Sequence, residues 1–392
     1  MIMGSMEKHS EQQLVQEEFS HHDQTIARIN NGSFGSCPAS IISAQHQWQL
    51  RFLQQPDDFY FNHPQPGLLQ SRTAIKNLIN AAFLEEVAII DNVTTAAAIV
   101  LQHISWGFVQ GKYHRGDTVF MLRYTYGAVK KLIHAYISRM GGNVIEAAVP
   151  FPEQSNEQIV MAFRQALGKA KEIGNKVILA VIDHISSMPS VLLPLKELVR
   201  ICREEMVEQV FVDGAHAIEL HHLVVSHEYG HGLGVESSWV GTRDYSAQLV
   251  IPEVLDFVNR FEGGLEGVQR RNHDKVVEIG EMLSQAWGTK LGSPPEMCAS
   301  MIMVGLPSSL EISTETDAFN LRTHLWVMFG IEVHIYWQAI KCGVQTSDDC
   351  STAYARISHH VYNTNHDYYR FRDAIIQLCQ QGRTCRMLPH IK

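Results

Sequence analysis

Between residues 86 and 213, short apolar runs rich in β-branched residues alternate with longer stretches whose apolar residues recur every three or four positions. Short runs bounded by turn signals read as buried strands, and the three-to-four interval reads as amphipathic helix. The predicted strands are EVAIID (86–91), DTVFML (117–122), NVIEAAV (143–149), KVILAVID (176–183) and QVFVD (209–213). The predicted helices between them cover residues 96–109, 127–140, 156–174 and 193–206. Strand and helix in alternation specify an α/β fold on a mostly parallel, doubly wound sheet. Residues 250–288 read as one long helical region leaving that sheet, and the remainder as a smaller α/β domain. The expected division is a flexible tail at 1–25, a small domain from 26–62 with 262–392, and a large domain at 63–261.

Composition narrows the function classes. A chain of 392 residues, 45% hydrophobic and 19% charged, is long enough to bury a large core. Its formal charge of -9 offers no electrostatic footprint for nucleic acid or an anionic membrane, and neither partner is expected. Seven scattered cysteines without CxxC spacing suggest neither a disulfide framework nor a zinc site, so no metal is expected. The polar, acidic N-terminal stretch has no apolar signal core, and a cytoplasmic location is the expectation.

In an open α/β sheet, ligands sit beyond the carboxyl ends of the strands. Thr94, Thr95 and Ala96 follow the first run; they read either as a phosphate cradle at a helix start or as an ordinary cap. Tyr124 follows the second, where a ring can stack on a planar cofactor or simply pack. Asp183 and His184 end the fourth run, as partners of a ligand or as a turn. Asp213 closes the fifth, with His216 three residues on. A carboxylate at the end of a buried strand is costly unless it meets a cation, and a protonated pyridine nitrogen is such a partner.

Several longer segments carry a resemblance. VFVDGAHAI, INNGSFGSCP, FLQQPDDFYFN, DNVTTAAAIVLQ, ESSWVGTRDYSAQLV and ARISHHVYN are similar to the plant L-cysteine desulfhydrases, which are isopenicillin-N-epimerase-like members of the class V aminotransferase superfamily. The similarity runs from about Ala27 to about Cys385. It implies fold type I with pyridoxal 5'-phosphate (PLP) as cofactor, and β-elimination from L-cysteine to pyruvate, ammonia and hydrogen sulfide. On that basis Asp213 pairs with the pyridine nitrogen and His216 supports the ring, while Thr94, Thr95 and Ala96 form the phosphate cup and Tyr124 stacks on the cofactor. Arg356 forks onto the substrate carboxylate, and Asn31 is a second substrate-binding residue. Thr242 reaches the phosphate of a neighbouring subunit, which implies a homodimer.

The family pattern departs at one position. The resemblance calls for a lysine soon after the DGAHA motif, yet this chain has none between Lys196 and Lys275. The flanks on both sides still match, as if some tens of residues were excised between Leu220 and His221. The expectation is therefore a cofactor held without a covalent bond, or lost. The alternatives are a catalytically inactive relative or dimerisation partner, a cysteine desulfurase, and an amino-acid epimerase. His221, His222, His227 and His231 lack a recognised metal-ligand spacing, and the segment holding Cys342 and Cys350 lacks the desulfurase motif.

Overall fold

A computed structural model of the chain describes residues 11–149, 151–152, 155–172, 176–216, 244–337 and 353–388. The chain divides into two compact units: one from Met1–His22, Ser36–Ile104 and Ile218–Val268, the other from Asp23–Gly35, Ser105–Ala217 and Gln269–Lys392.

The second unit holds the parallel sheet. Strands β2 (Thr118–Leu122), β3 (Asn143–Ala147), β4 (Val177–Asp183) and β5 (Val210–Asp213) pair in the order β3-β2-β4-β5, all parallel. Every residue of β2 and β4 is buried, as central strands covered on both faces require. Helices Asn156–Glu172 and Leu195–Glu204 connect successive strands, and Phe163, Leu167, Leu198 and Ile201 pack with Phe120 and Ile182.

The same unit contains an antiparallel sheet of β6 (Met301–Gly305), β9 (Ala353–Ser358) and β8 (His334–Trp337), in that order. Alternation sends Ile302, Val304, Ile335, Ala355 and Ile357 to one face, where they form a core with Tyr368, Phe371 and Ile375 of the helix Asn365–Gln380. Arg356 lies on the opposite face, flanked in register by Met303 on β6 and His334 on β8. Strands β1 (Ala27–Arg28) and β7 (Ile331–Glu332) form a short parallel pair.

The first unit is helical where described. Helices Pro56–Asn62, Pro64–Leu78 and Ser246–Leu249 bury Phe59, Leu68 and Leu249 with Tyr245.

Three expectations need correction. Residues 86–91 contain no strand. Val87 and Ile89 are buried against Ile75 and Ile251, but the Arg72 guanidinium donates to the Val87 and Leu84 carbonyls at 2.8 and 2.9 Å, bonds that a ladder would otherwise supply. The tail before residue 25 is not loose throughout: residues 11–18 are helical, and the Glu18 carboxylate accepts from the Ser40 amide at 2.8 Å and Arg260 at 3.0 Å. The helical region 250–288 is broken into Ile251–Val258 and Gly264–Trp287. Gly263 and Gly264 separate them with φ of 74° and 55°, the left-handed conformation glycine tolerates.

Candidate active site

Strands β4 and β5 end side by side, and the pairing puts Asp183 directly beside Asp213. In parallel strands, residues in register point to the same face, so two carboxyl groups share one corner of the sheet. Both are buried, and Asp213 accepts from the Ala215 amide at 3.0 Å while Asp183 Oδ2 has no hydrogen-bond partner. No lysine or arginine among the described residues bonds either one. Burial first, and the neighbouring Asp213 second, push the Asp183 carboxyl up to about 7.

His216 closes over this corner. Its Nδ1 donates to the Ile185 carbonyl at 3.3 Å. Burial and the charge of Arg356 lower its pKa, which keeps the imidazole neutral near pH 7. His184 is lowered by burial as well.

Arg356 is 1% exposed, and every bond it makes is to a neutral oxygen. Nη1 donates to the Ser187 carbonyl at 3.1 Å, Nη2 donates to Asn30 Oδ1 at 3.1 Å and to the Ser33 hydroxyl, and Nε is left without a partner. No carboxylate among the described residues pairs with it. Burial, with Arg322 adding to it, lowers its pKa to about 10, so the guanidinium stays charged at neutral pH. A buried cation without a counter-ion is electrostatically suited to meet an anion. Gly32 makes the approach possible: a Cβ there would stand 2.1 Å from Met301 Sδ and 3.5 Å from Arg356 Cζ.

Asn31 is used differently from its neighbour. Its Oδ1 accepts from the Tyr362 hydroxyl at 2.9 Å, and its Nδ2 donates to Asn363 Oδ1 at 2.7 Å. The side chain that touches Arg356 is Asn30, which the sequence reading did not single out. Two adjacent asparagines gave no signal for which one faces the arginine. Ser33 and Ser187 were missed for the same reason, since hydroxyls in loops are common.

Tyr124 is not placed to stack on a ligand. Its ring lies in the apolar core with Val149 and Phe163, and its hydroxyl donates to the Val149 carbonyl at 2.7 Å. Tyr126, two residues later at the start of helix Gly127–Tyr136, is 49% exposed. Alternation gave no signal to separate them: residues two apart share a side only while the strand stays extended, and β2 ends at Leu122.

In the first unit, the helix Val93–Val109 starts at Asn92, whose Oδ1 accepts from both the amide and the hydroxyl of Thr95 at 2.8 and 3.0 Å. The Ala96 amide bonds the Asn92 carbonyl at 3.0 Å. Asn92 is therefore the cap, and the Thr95 and Ala96 groups expected to bind phosphate are spent on it. Thr242, the four histidines 221, 222, 227 and 231, Cys342, Cys350 and the 220/221 junction lie outside the described residues.

No protein-family model matches the chain. Among curated proteins it is 50% identical to "L-cysteine desulfhydrase" of Arabidopsis thaliana over 420 residues, 96% of this chain and 92% of that protein. It is also 52% identical to "Probable L-cysteine desulfhydrase, chloroplastic" of the same plant, over 95% of this chain and 87% of the relative. The match to "Putative L-cysteine desulfhydrase 1" of Oryza sativa subsp. japonica spans 421 residues at 50% identity, covering 95% of this chain and 87% of that one. These matches are longer than the 392 residues present here, so each relative carries positions with no counterpart in this chain. Among solved structures, a lysine-to-alanine mutant of C-DES with glycine covalently linked to its PLP cofactor superposes with a TM-score of 0.68 at 16% identity, covering 92% of this chain and 98% of that one. The cysteine desulfurase of Thermococcus onnurineus NA1 gives 0.59 at 14% identity, covering 91% of this chain and 95% of that one. The chain thus has the fold of these fold-type-I proteins and, by its identity to the plant sequences over nearly its whole length, belongs to the L-cysteine desulfhydrase family.

Proposed function

We propose that this protein binds PLP and L-cysteine as an L-cysteine desulfhydrase does, in the reaction that converts L-cysteine and water to pyruvate, ammonia and hydrogen sulfide. The observation that carries the reading is Arg356, a buried guanidinium with no carboxylate partner among the described residues, in the same unit as a corner of two buried carboxyls. An α-amino acid bound to PLP presents the complementary charges: a carboxylate for the arginine and a protonated ring nitrogen for the aspartate.

Asp213 holds the ring nitrogen protonated, and His216, neutral and anchored on Ile185, keeps the ring seated. Bound there, PLP supplies an electron sink for the pair left at Cα when its proton is removed. Arg356 orients the substrate through its carboxylate, with Asn30, Ser33 and Ser187 fixing the plane of the guanidinium. Tyr126 is the ring we assign to the cofactor face, and Asn31 braces the segment after β9 through Tyr362 and Asn363.

A second reading is favoured by one observation: the sequence has no lysine between Lys196 and Lys275. A chain without a covalent anchor and proton shuttle would serve as a non-catalytic, PLP-binding relative. Loss of such an acid-base group costs roughly 10²- to 10⁴-fold in rate. Borohydride reduction with PLP followed by mass spectrometry, alongside a sulfide-release assay, separates the two. We expect PLP to be retained with no pyridoxyl adduct; an adduct on one internal lysine at full occupancy would overturn the non-covalent reading. Sulfide release above the rate of free PLP supports the enzyme, and none supports the non-catalytic relative. A homodimer completes the proposal, on the strength of the Thr242 motif; light scattering tests it.

A further inference from the structure

The Asp183 side chain has no role in the scheme above, and its surroundings are unusual. It is 3% exposed, stands in register with Asp213, and leaves Oδ2 without a partner. The groups facing it are Asp213 from β5, the Thr125 hydroxyl and Tyr126 amide from the loop after β2, and the neighbouring His184, with His216 beyond Asp213. Both histidines are lowered by burial, and neither brings a positive charge at neutral pH. Two buried carboxylates without a cation cannot both be ionised cheaply.

We propose that Asp183 and Asp213 work as a pair that holds one proton while no ligand is bound and gives it up when a protonated pyridine nitrogen docks on Asp213. Asp183 is thus a positioning residue that keeps the net charge of the corner constant. Before binding, two carboxyls and one proton carry a single negative charge. Afterwards, two carboxylates and one pyridinium carry the same charge, the displaced proton passing to the ring nitrogen or to solvent. The upward shift of Asp183, caused by burial and Asp213, agrees with this arrangement. Through Thr125 and Tyr126, ionisation of Asp183 also acts on the loop that presents the Tyr126 ring.

This inference rests on the PLP-binding reading, and infrared difference spectroscopy tests the two separately. The full-length apoprotein at pH 6 is expected to show the carbonyl band of a protonated carboxyl group that disappears on saturation with PLP; binding itself is followed by absorbance. Asp183→Asn is expected to lack the band while keeping its circular dichroism, and Asp213→Asn to move the titration of the band down toward the ordinary carboxylate range. A band that persists with PLP bound, survives in Asp183→Asn, or titrates unchanged in Asp213→Asn overturns the proposal. If PLP fails to bind, the functional reading falls, while the two substitutions still decide whether the carboxyls share a proton.

Discussion

Arg356 Nη2 and Asn30 Oδ1 are 3.1 Å apart, a bond between the penultimate stretch of the chain and its beginning that fixes the orientation of a buried guanidinium. A fixed fork is worth having only if something planar and anionic is to meet it. Arg356→Ala should weaken L-cysteine binding to the PLP-loaded protein by roughly 1.5–3 kcal/mol, about 10- to 150-fold. Isothermal calorimetry on variants with unchanged near-UV circular dichroism is the measurement. Arg356→Lys should recover only part of the loss, because an ammonium cannot reproduce the bidentate geometry; equal affinity in all three proteins would remove Arg356 from the site.

Gly32 tests the same corner from the backbone. A methyl group at 2.1 Å from Met301 Sδ forces the thioether aside, so Gly32→Ala should cost about 1–3 kcal/mol in urea unfolding. Shortening the obstructing side chain in Gly32→Ala/Met301→Ala should cost less than the two single changes summed. Simple additivity would mean the steric account is mistaken.

His334, facing Arg356 across the sheet, sets a pH dependence. Burial, Arg356 and Arg322 lower it to about 4 in the folded chain. A histidine with a depressed folded pKa contributes stability that is present above its ordinary pKa of 6.5 and is lost as pH falls toward 4. In that window the unfolded chain takes up a proton that the folded one refuses, which lowers stability by as much as about 1.4 kcal/mol per pH unit. His334→Gln should flatten the fall in melting temperature between those limits. His359, lowered to about 4 by burial first and His360 second, contributes in the same direction and remains in the variant.

Asn92→Ala removes the acceptor for both Thr95 groups and should destabilise the protein by about 0.5–2 kcal/mol. Asn92→Asp should retain the cap and gain slightly from the helix dipole. If Thr95→Ala proves costlier than Asn92→Ala, the threonine has a duty of its own beyond donating to the cap.

The sequence was most informative where burial is uniform. Strands β2 and β4 sit within a residue or two of their predicted places, because a fully buried parallel strand must be a continuous apolar run. It misled at 86–91, where the same kind of run is partly buried but the Val87 carbonyl goes to Arg72, a partner that no local pattern announces. Among the candidate site residues, the place of Asp213 at a strand end could be read from the sequence, and Arg356 was singled out only through resemblance. Asn30, Ser33 and Tyr126 were not legible, since each is defined by what it faces after the chain has folded.

The short pairing of β1 with β7 has a consequence for synthesis. Ala27 leaves the ribosome early and must wait for Ile331 before its parallel partner exists, and Asn30 must wait longer still for Arg356. At about 5–20 residues per second, that interval is on the order of 15–60 s. During it β1 and the INNGS segment after it have none of the partners they meet in the folded chain. The surroundings of the Arg356 guanidinium, which join Asn30 and Ser33 to Ser187, are thus completed late in synthesis.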